Sequence, residues 1–372
     1  MNTTMGITVS PIKVALFLTL GLLVSLRVLA QPPAKSPFQE GADSLKNSRF
    51  QEAESFFRKA AELETDNFGG LRGIALNLYA QKKADEAIQF LRSETAKNPS
   101  RAELHLILGD FAVLLNRNEL AVAEFKAALP VAEKLPDLYV PRGSPNGALV
   151  LPAADANPVT EAMRLLTGKD STPKGPAGIH LRLAEVFSLN GDHAASAAEW
   201  RATADLIPKS PPVLTGLAME LEASGKSKDA ITAYRESLSV RRNDPVVLNN
   251  LAYLIAETDG DLYEALRYAR LANTLAPGSP EIMDTTGWVA LKQGFIDDAV
   301  GTFLRVVDRQ PENASYRKHL AQAINKAGVH SPASDELVKA LLLPPVPGDG
   351  IKIREMIRNL TTEAAEGRQK TK

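Results

Sequence analysis

The stretch MDTTGWVALKQGFIDDAVGTFLRVVDRQP, Met283–Pro311, reads as a helix, a turn at Gly294 and a second helix. A small residue, Gly287, is followed twelve positions later by Ala299, four further on by Phe303 and eight beyond that by Pro311. The spacing recurs. Ala75, Ala87, Leu91 and Pro99 fit it, as do Gly109, Ala121 and Phe125, and Ala218, Ala230 and Tyr234. These are the places where two antiparallel helices and the next pair must approach closely, so small residues are needed there. Self-similarity at a fixed period is the mark of a repeat architecture, in which stacked neighbours supply the core that one unit cannot build alone.

This spacing resembles the tetratricopeptide repeat, a 34-residue helix–turn–helix unit. Its consensus places Leu-Gly or Leu-Ala at positions 7 and 8, Ala at 20, an aromatic at 24 and Pro at 32. In that register the chain tiles as 34–67, 68–101 and 102–135, then as 177–210, 211–244, 245–279, 280–313 and 314–345. The sixth unit carries one extra residue near ETDGD, and position 11 is aromatic at Phe187. The expected fold is therefore all-α: a superhelical solenoid of about eight repeats. An N-terminal block spans 31–135, a Pro/Gly-rich insertion 136–176 and a C-terminal block 177–345. Within the insertion, a short helix from Pro158 to Thr167 is expected, with Asn157 as N-cap and Gly168 just past its end. Residues 346–361, with Ile353, Ile357 and Leu360 at helical spacing, suit a capping helix, and 362–372 a frayed tail.

The remaining composition narrows the function. Apolar residues make up 44% of the chain, the net charge is −1, and cysteine is absent. Disulfides, thiol catalysis, cysteine zinc sites and a lipidated N-terminal cysteine are excluded. No block of like charge points to nucleic acid. Residues 1–30 contain Lys13 and Arg27 and no acid, with VALFLTLGLLVSL, Val14–Leu26, between them. This apolar run of thirteen residues suits a signal-peptide core, and Val28 and Ala30 occupy the −3 and −1 positions of a cleavage site. The mature chain is expected to begin at Gln31 and to work outside the cytoplasm, periplasmic or secreted; an uncleaved N-terminal anchor is the alternative.

The repeat resemblance also implies a ligand face. In such repeats, positions 2, 5, 9 and 12 of the first helix line the concave side. The later units place Asn249, Tyr253 and Ala256 there, then Asp284, Trp288 and Leu291, then Lys318, Gln322 and Asn325. Trp288 should stand beside Tyr253 and Gln322, whereas Trp200, at position 24, should be core. Amides can bind peptide backbone or sugar hydroxyls, and aromatic faces stack on either. In the N-terminal block, Arg72, Tyr79 and Asp110 face the same way, with Leu76, Leu106 and Val113 between them. That more apolar face could hold a partner helix or the chain's own insertion. Each of these residues can equally be packing: Tyr253 and Trp288 against one another, Asn249 and Asp284 solvated or bonded to their helices.

Other motifs fail on spacing. SGKS, Ser224–Ser227, lacks the upstream Gly of a phosphate loop, so no nucleotide is expected. In STPK, Ser171–Lys174, Pro173 prevents the turn that would bring Lys174 beside Ser171. The histidines His105, His180, His193, His319 and His330 are scattered, with His105 and His180 at position 4 in a core or groove-edge role. The acidic turn DGD, Asp259–Asp261, has too few ligands for calcium. No metal or cofactor is expected.

The segments LNNLAYLIAE and LAPGSPEIMDTTGWVALKQG, within Leu248–Gly328, are similar to the C-terminal repeats of exported bacterial tetratricopeptide proteins. Many of those are associated with exopolysaccharide synthesis and the exosortase sorting system. Tyr253 and Thr286 stand where that pattern has Trp and Leu. The resemblance implies a non-catalytic exported scaffold that binds a partner protein or peptide in its groove. The alternatives are a polysaccharide-binding groove and an accessory to an enzyme with chemistry in the 136–176 insertion. The insertion's acids, Asp137, Asp155, Glu161 and Asp170, stand without His or Cys.

Overall fold

The computed structural model describes residues 35–63, 68–132, 157–167, 175–258, 260–328 and 339. The Val14–Leu26 run, the cleavage point after Ala30, most of the 136–176 insertion, the capping helix expected at 346–361 and the 362–372 tail lie outside them. Among the described residues the regular structure is helical throughout. None of those helices is long and apolar enough to cross a membrane.

Helices come in pairs. The first three are α1 (Pro37–Lys46) with α2 (Phe50–Leu63), α3 (Gly69–Ala80) with α4 (Ala84–Lys97), and α5 (Ala102–Leu114) with α6 (Asn118–Ala128). A single helix, α7 (Pro158–Thr167), follows. Then come α8 (Pro176–Leu189) with α9 (His193–Leu206), α10 (Pro211–Ala223) with α11 (Ser227–Val240), α12 (Pro245–Glu257) with α13 (Leu262–Leu275), α14 (Pro280–Gln293) with α15 (Ile296–Arg309), and a further first helix, α16 (Ala314–Lys326). The chain forms two compact units, one of residues up to Glu94 together with α7, the other from Thr95 onward without it. The division thus falls near the end of the second pair.

Local chemistry starts these helices where they start. Proline at the first position opens α8, α10, α12 and α14, where its missing N–H costs no intrahelical bond. Asp244, Asp261 and Asn313 cap α12, α13 and α16 by accepting from the backbone N–H groups two and three residues on. Asn157 caps α7 in the same way, its Oδ1 accepting from Val159 N at 2.9 Å and Thr160 N at 3.2 Å. The insertion helix therefore lies where the sequence places it.

A left-handed residue turns the chain inside most pairs. Gly191, Gly225 and Gly294 provide it after α8, α10 and α14, Gly328 follows α16, and Ser48, Lys82 and Asn116 hold the same conformation in the first three pairs. Only glycine does so without steric cost.

Close packing explains the small-residue spacing. A Cβ placed on Gly109 would lie 2.3 Å from the Phe125 ring, and one on Gly287 would lie 2.9 Å from Phe303. These are positions 8 and 24 of one pair. Position 24 also meets the next pair: a Cβ on Gly73 would lie 2.4 Å from Phe57, and one on Gly216 2.7 Å from Trp200. Ala75, Ala87, Ala121, Ala218, Ala230 and Ala299 are buried with them. In the second unit, α6 packs directly on α8, so the third pair stacks on the fourth although 47 residues separate Ala128 from Pro176 in sequence. Ile179, Leu183 and Val186 of α8 share one apolar cluster with Ala121, Phe125 and Ala128 of α6.

Candidate functional site

The stripe predicted from α12, α14 and α16 is not one open surface. Trp288 is only 9% exposed, and its ring stacks on the His319 imidazole of the following first helix, with centroids 4.7 Å apart and planes 29° apart. Its Nε1–H donates to Glu257 Oε1 at 2.7 Å, and the Lys292 ammonium lies 5.1 Å from the ring centroid. Asp284, also buried, accepts from His319 Nδ1, at 2.9 Å to each carboxylate oxygen. The expected neighbours of Trp288 were Tyr253 and Gln322. The ring also meets His319, because position 6 of one first helix lies against positions 5 and 9 of the preceding one.

The pairing of Asp284 with His319 is the orienting half of a catalytic triad in chemistry but not in setting. The imidazole is 7% exposed and lies between Trp288 and Phe303, the latter at 5.7 Å between centroids. What this arrangement does is tie the seventh first helix to the eighth. Tyr316 lies in the same contact, where burial, with Glu281 and Asp284 nearby, pushes its phenol well above the usual range. Among the described residues no group of three or more His, Asp or Glu side chains is placed to hold a metal.

Around this floor, Asn249, Tyr253, Lys318, Gln322 and Asn325 remain half-buried. Asn249 Oδ1 and Gln322 Oε1 are buried acceptors with no donor among the described residues. Such atoms are rare in folded proteins, and each calls for water or a ligand group to complete it. Ala256 and Leu291, at position 12, are buried.

The N-terminal residues predicted for the same face have internal partners. Asp110 accepts from the buried Arg182 of α8, Nε to Oδ1 at 2.9 Å and Nη2 to Oδ2 at 3.3 Å. Arg182 also donates from Nη1 to the Gly178 carbonyl at 3.3 Å. Arg72 donates from Nη2 to the Leu165 carbonyl at the C-terminal end of α7, at 2.8 Å. Tyr79 is half-buried on α3, while Leu76, Leu106 and Val113 are buried.

Residues 72–137 and 285–342 match the family model of the tetratricopeptide repeat. A TPR repeat-containing protein of Pseudomonas aeruginosa is 26% identical over 155 residues, 41% of this chain; the chain spans 26% of that relative's length. A tetratricopeptide repeat protein from Parabacteroides merdae has the same fold, with a TM-score of 0.53 at 12% identity, covering 70% of this chain and 87% of that one. MamA from Desulfovibrio magneticus gives a TM-score of 0.41 at 17% identity, covering 45% and 94%.

Residues 72–137 and 285–342 are thus tetratricopeptide repeats, and the helix pairs around them share that fold. Repeat numbering shows what sequence reading passed over. His105 Nδ1 lies 2.7 Å from Glu124 Oε2, and His180 Nδ1 lies 2.6 Å from Glu199 Oε2. Both are a position 4 histidine bonded to a position 23 glutamate, joining the two helices of one repeat. Equal separation in two repeats was the signal that could have revealed them. His319 had no such signal, because its partner belongs to another repeat.

Glu222, at position 12 of the fifth repeat, is a further polar member of the first-helix face. Tyr234 Oη donates to Glu222 Oε2 at 2.9 Å. Burial raises the Glu222 carboxyl above its ordinary value of 4.5 and outweighs the opposing effect of that hydrogen bond. The folded state then holds this proton more tightly than the unfolded state. Stability from this group is present below the unfolded value and falls as pH rises through the raised folded value. Glu222→Gln should remove that part of the slope and stabilise the protein at neutral pH. Urea midpoints of both forms across the acidic to neutral range test this; an unchanged slope would mean that the carboxyl is not protonated on folding.

Proposed function

We propose that this chain is a non-catalytic scaffold that binds an extended peptide segment of a partner protein along the first-helix face of α12, α14 and α16. The observation that carries the reading is the pair of unpartnered acceptors, Asn249 Oδ1 and Gln322 Oε1, on one stripe. A peptide backbone supplies N–H donors at regular intervals, which is what two such acceptors require. Lys318, Asn325 and Tyr253 border them, and Trp288 and Asp284 form the floor. Tetratricopeptide repeats commonly serve as protein-interaction scaffolds, which agrees with this reading. The N-terminal apolar run and the likeness to exported repeat proteins support a working place outside the cytoplasm, in envelope or exopolysaccharide assembly.

A photo-crosslinker at position 322, with one at exposed Arg270 as control, tests the proposal in the native envelope fraction. A captured peptide, resynthesised, should bind the purified chain. Combining Asn249→Ala with Gln322→Ala should then weaken binding by about tenfold or more, since each unpaired donor left on the ligand costs ~1 kcal/mol or more. Equal capture from position 270, or undiminished affinity in the double variant, would overturn the reading. Capture of an oligosaccharide in place of a peptide would replace the ligand class.

A further inference from the structure

The first-helix face of the N-terminal unit is already occupied. Helix α7 packs on the first helices α1 and α3 and, among the described residues, on no other helix to a comparable extent. Its capping residue Asn157 and its Thr160 are exposed, whereas Ala162 has no exposed surface and Val159 and Met163 are half-buried. Val159, Ala162 and Met163 are spaced i, i+3, i+4, the stripe by which an amphipathic helix docks in a groove. On the receiving side, three of the stripe positions are apolar and buried: Ala42 and Leu45 of α1, and Leu76 of α3. Arg72 of α3 then closes one end by donating to the Leu165 carbonyl, among the last carbonyls of α7 that have no partner within the helix.

The contact is therefore built as helix-in-groove recognition, with a small, fully buried residue, Ala162, on the docked face and a cation at the helix C-terminus. Its occupant comes from a segment of the chain that does not belong to the repeats. We propose that α7 is a displaceable occupant of the α1–α3 face, and that the partner to which it yields is a short amphipathic helix with a small residue at its centre. This rests on the reading that first-helix faces of this chain bind partner segments, but it concerns the first two repeats, and its test reads only those. Binding of the partner helix and release of α7 are then one competition. The chain is closed at this face until a partner of higher affinity or higher local concentration arrives.

The probe is a fluorescent peptide of the chain's own residues 157–168, NPVTEAMRLLTG, titrated onto the full-length protein. A tethered helix acts at an effective concentration on the order of mM, so the wild type should exclude a micromolar peptide. Ala162→Glu places a carboxylate in a site with no exposed surface and should expel α7, leaving the face open. The variant should bind the peptide at least about tenfold more tightly than the wild type does. Hydrogen exchange on the same samples reads the structure: amides of 158–167 should lose protection while those of 37–80 keep it. Loss of protection across 37–80 would show α7 to be an integral part of the fold, and would overturn the proposal. An intact 37–80 region without peptide binding would overturn it too. So would an α7 that stays protected, since an apolar docking face cannot retain a buried charge. Failure of the stripe on α12, α14 and α16 to bind any peptide would leave these readouts unchanged.

Discussion

Asp110→Ala is expected to destabilise the second unit by an amount near the lower end of about 3–5 kcal/mol, the usual cost of removing one partner from a buried ion pair. Arg182 is 2% exposed, and losing the carboxylate would remove a two-bond countercharge from its buried guanidinium. The lower end applies because Asp110 keeps 38% of its side chain in solvent, so water can partly take its place. The double variant Asp110→Leu, Arg182→Met should recover most of the loss, because a packed apolar pair pays no desolvation cost. Hydrogen exchange over 102–206 under increasing urea separates these outcomes. A double variant as weak as the single one would mean that the site needs the salt bridge for its geometry and not to neutralise a buried charge.

Trp200→Ala should cost about 3–5 kcal/mol, the range for a buried tryptophan truncated in a core that relaxes only partly. The ring is 8% exposed and passes close enough to Gly216 to exclude even a Cβ, so nothing in the next repeat can move in to fill the cavity. Trp288→Ala should fall in the same range, about 3–5 kcal/mol, since that ring is 9% exposed and belongs to the same apolar cluster. Had Trp288 been a ligand anchor at position 9, the sequence register implied a smaller cost than that of a core substitution. Trp288→Phe, which keeps a ring on His319 but loses the N–H to Glu257, should be milder than either truncation. Denaturation of the three variants settles the order. A Trp288→Ala protein nearly as stable as wild type would place the indole on the solvent side of its repeat and restore it as a ligand anchor.

The positions that could be read from sequence are those whose partners lie within one repeat or at a fixed step into the next. Gly109 with Phe125 and Gly287 with Phe303 are sixteen residues apart in their pairs, and all four are legible as one spacing. The insertion helix was legible too, because Asn157 and Pro158 start it by purely local bonding. What the stripe residues do was not. Asp110 meets Arg182 across 72 residues that include the insertion, and no periodicity in the sequence announces that α6 stacks on α8. Likewise nothing local to Arg72 says that it will cap α7.

The sequence by itself determined the helix pairs, their turns, their small-residue contacts and the face that each first helix presents. Those depend on interactions within a few turns of helix, repeated at a constant interval. Only the tertiary structure decided which members of that face are spent inside the molecule: Asp110 on Arg182, Asp284 and Trp288 on His319, Arg72 on α7. It also decided which acceptors, at Asn249 and Gln322, are left without a donor among the described residues. The reason is geometric. A residue's direction follows from its helical register, but its partner follows from how the next helix is rotated and stacked, which no single repeat specifies.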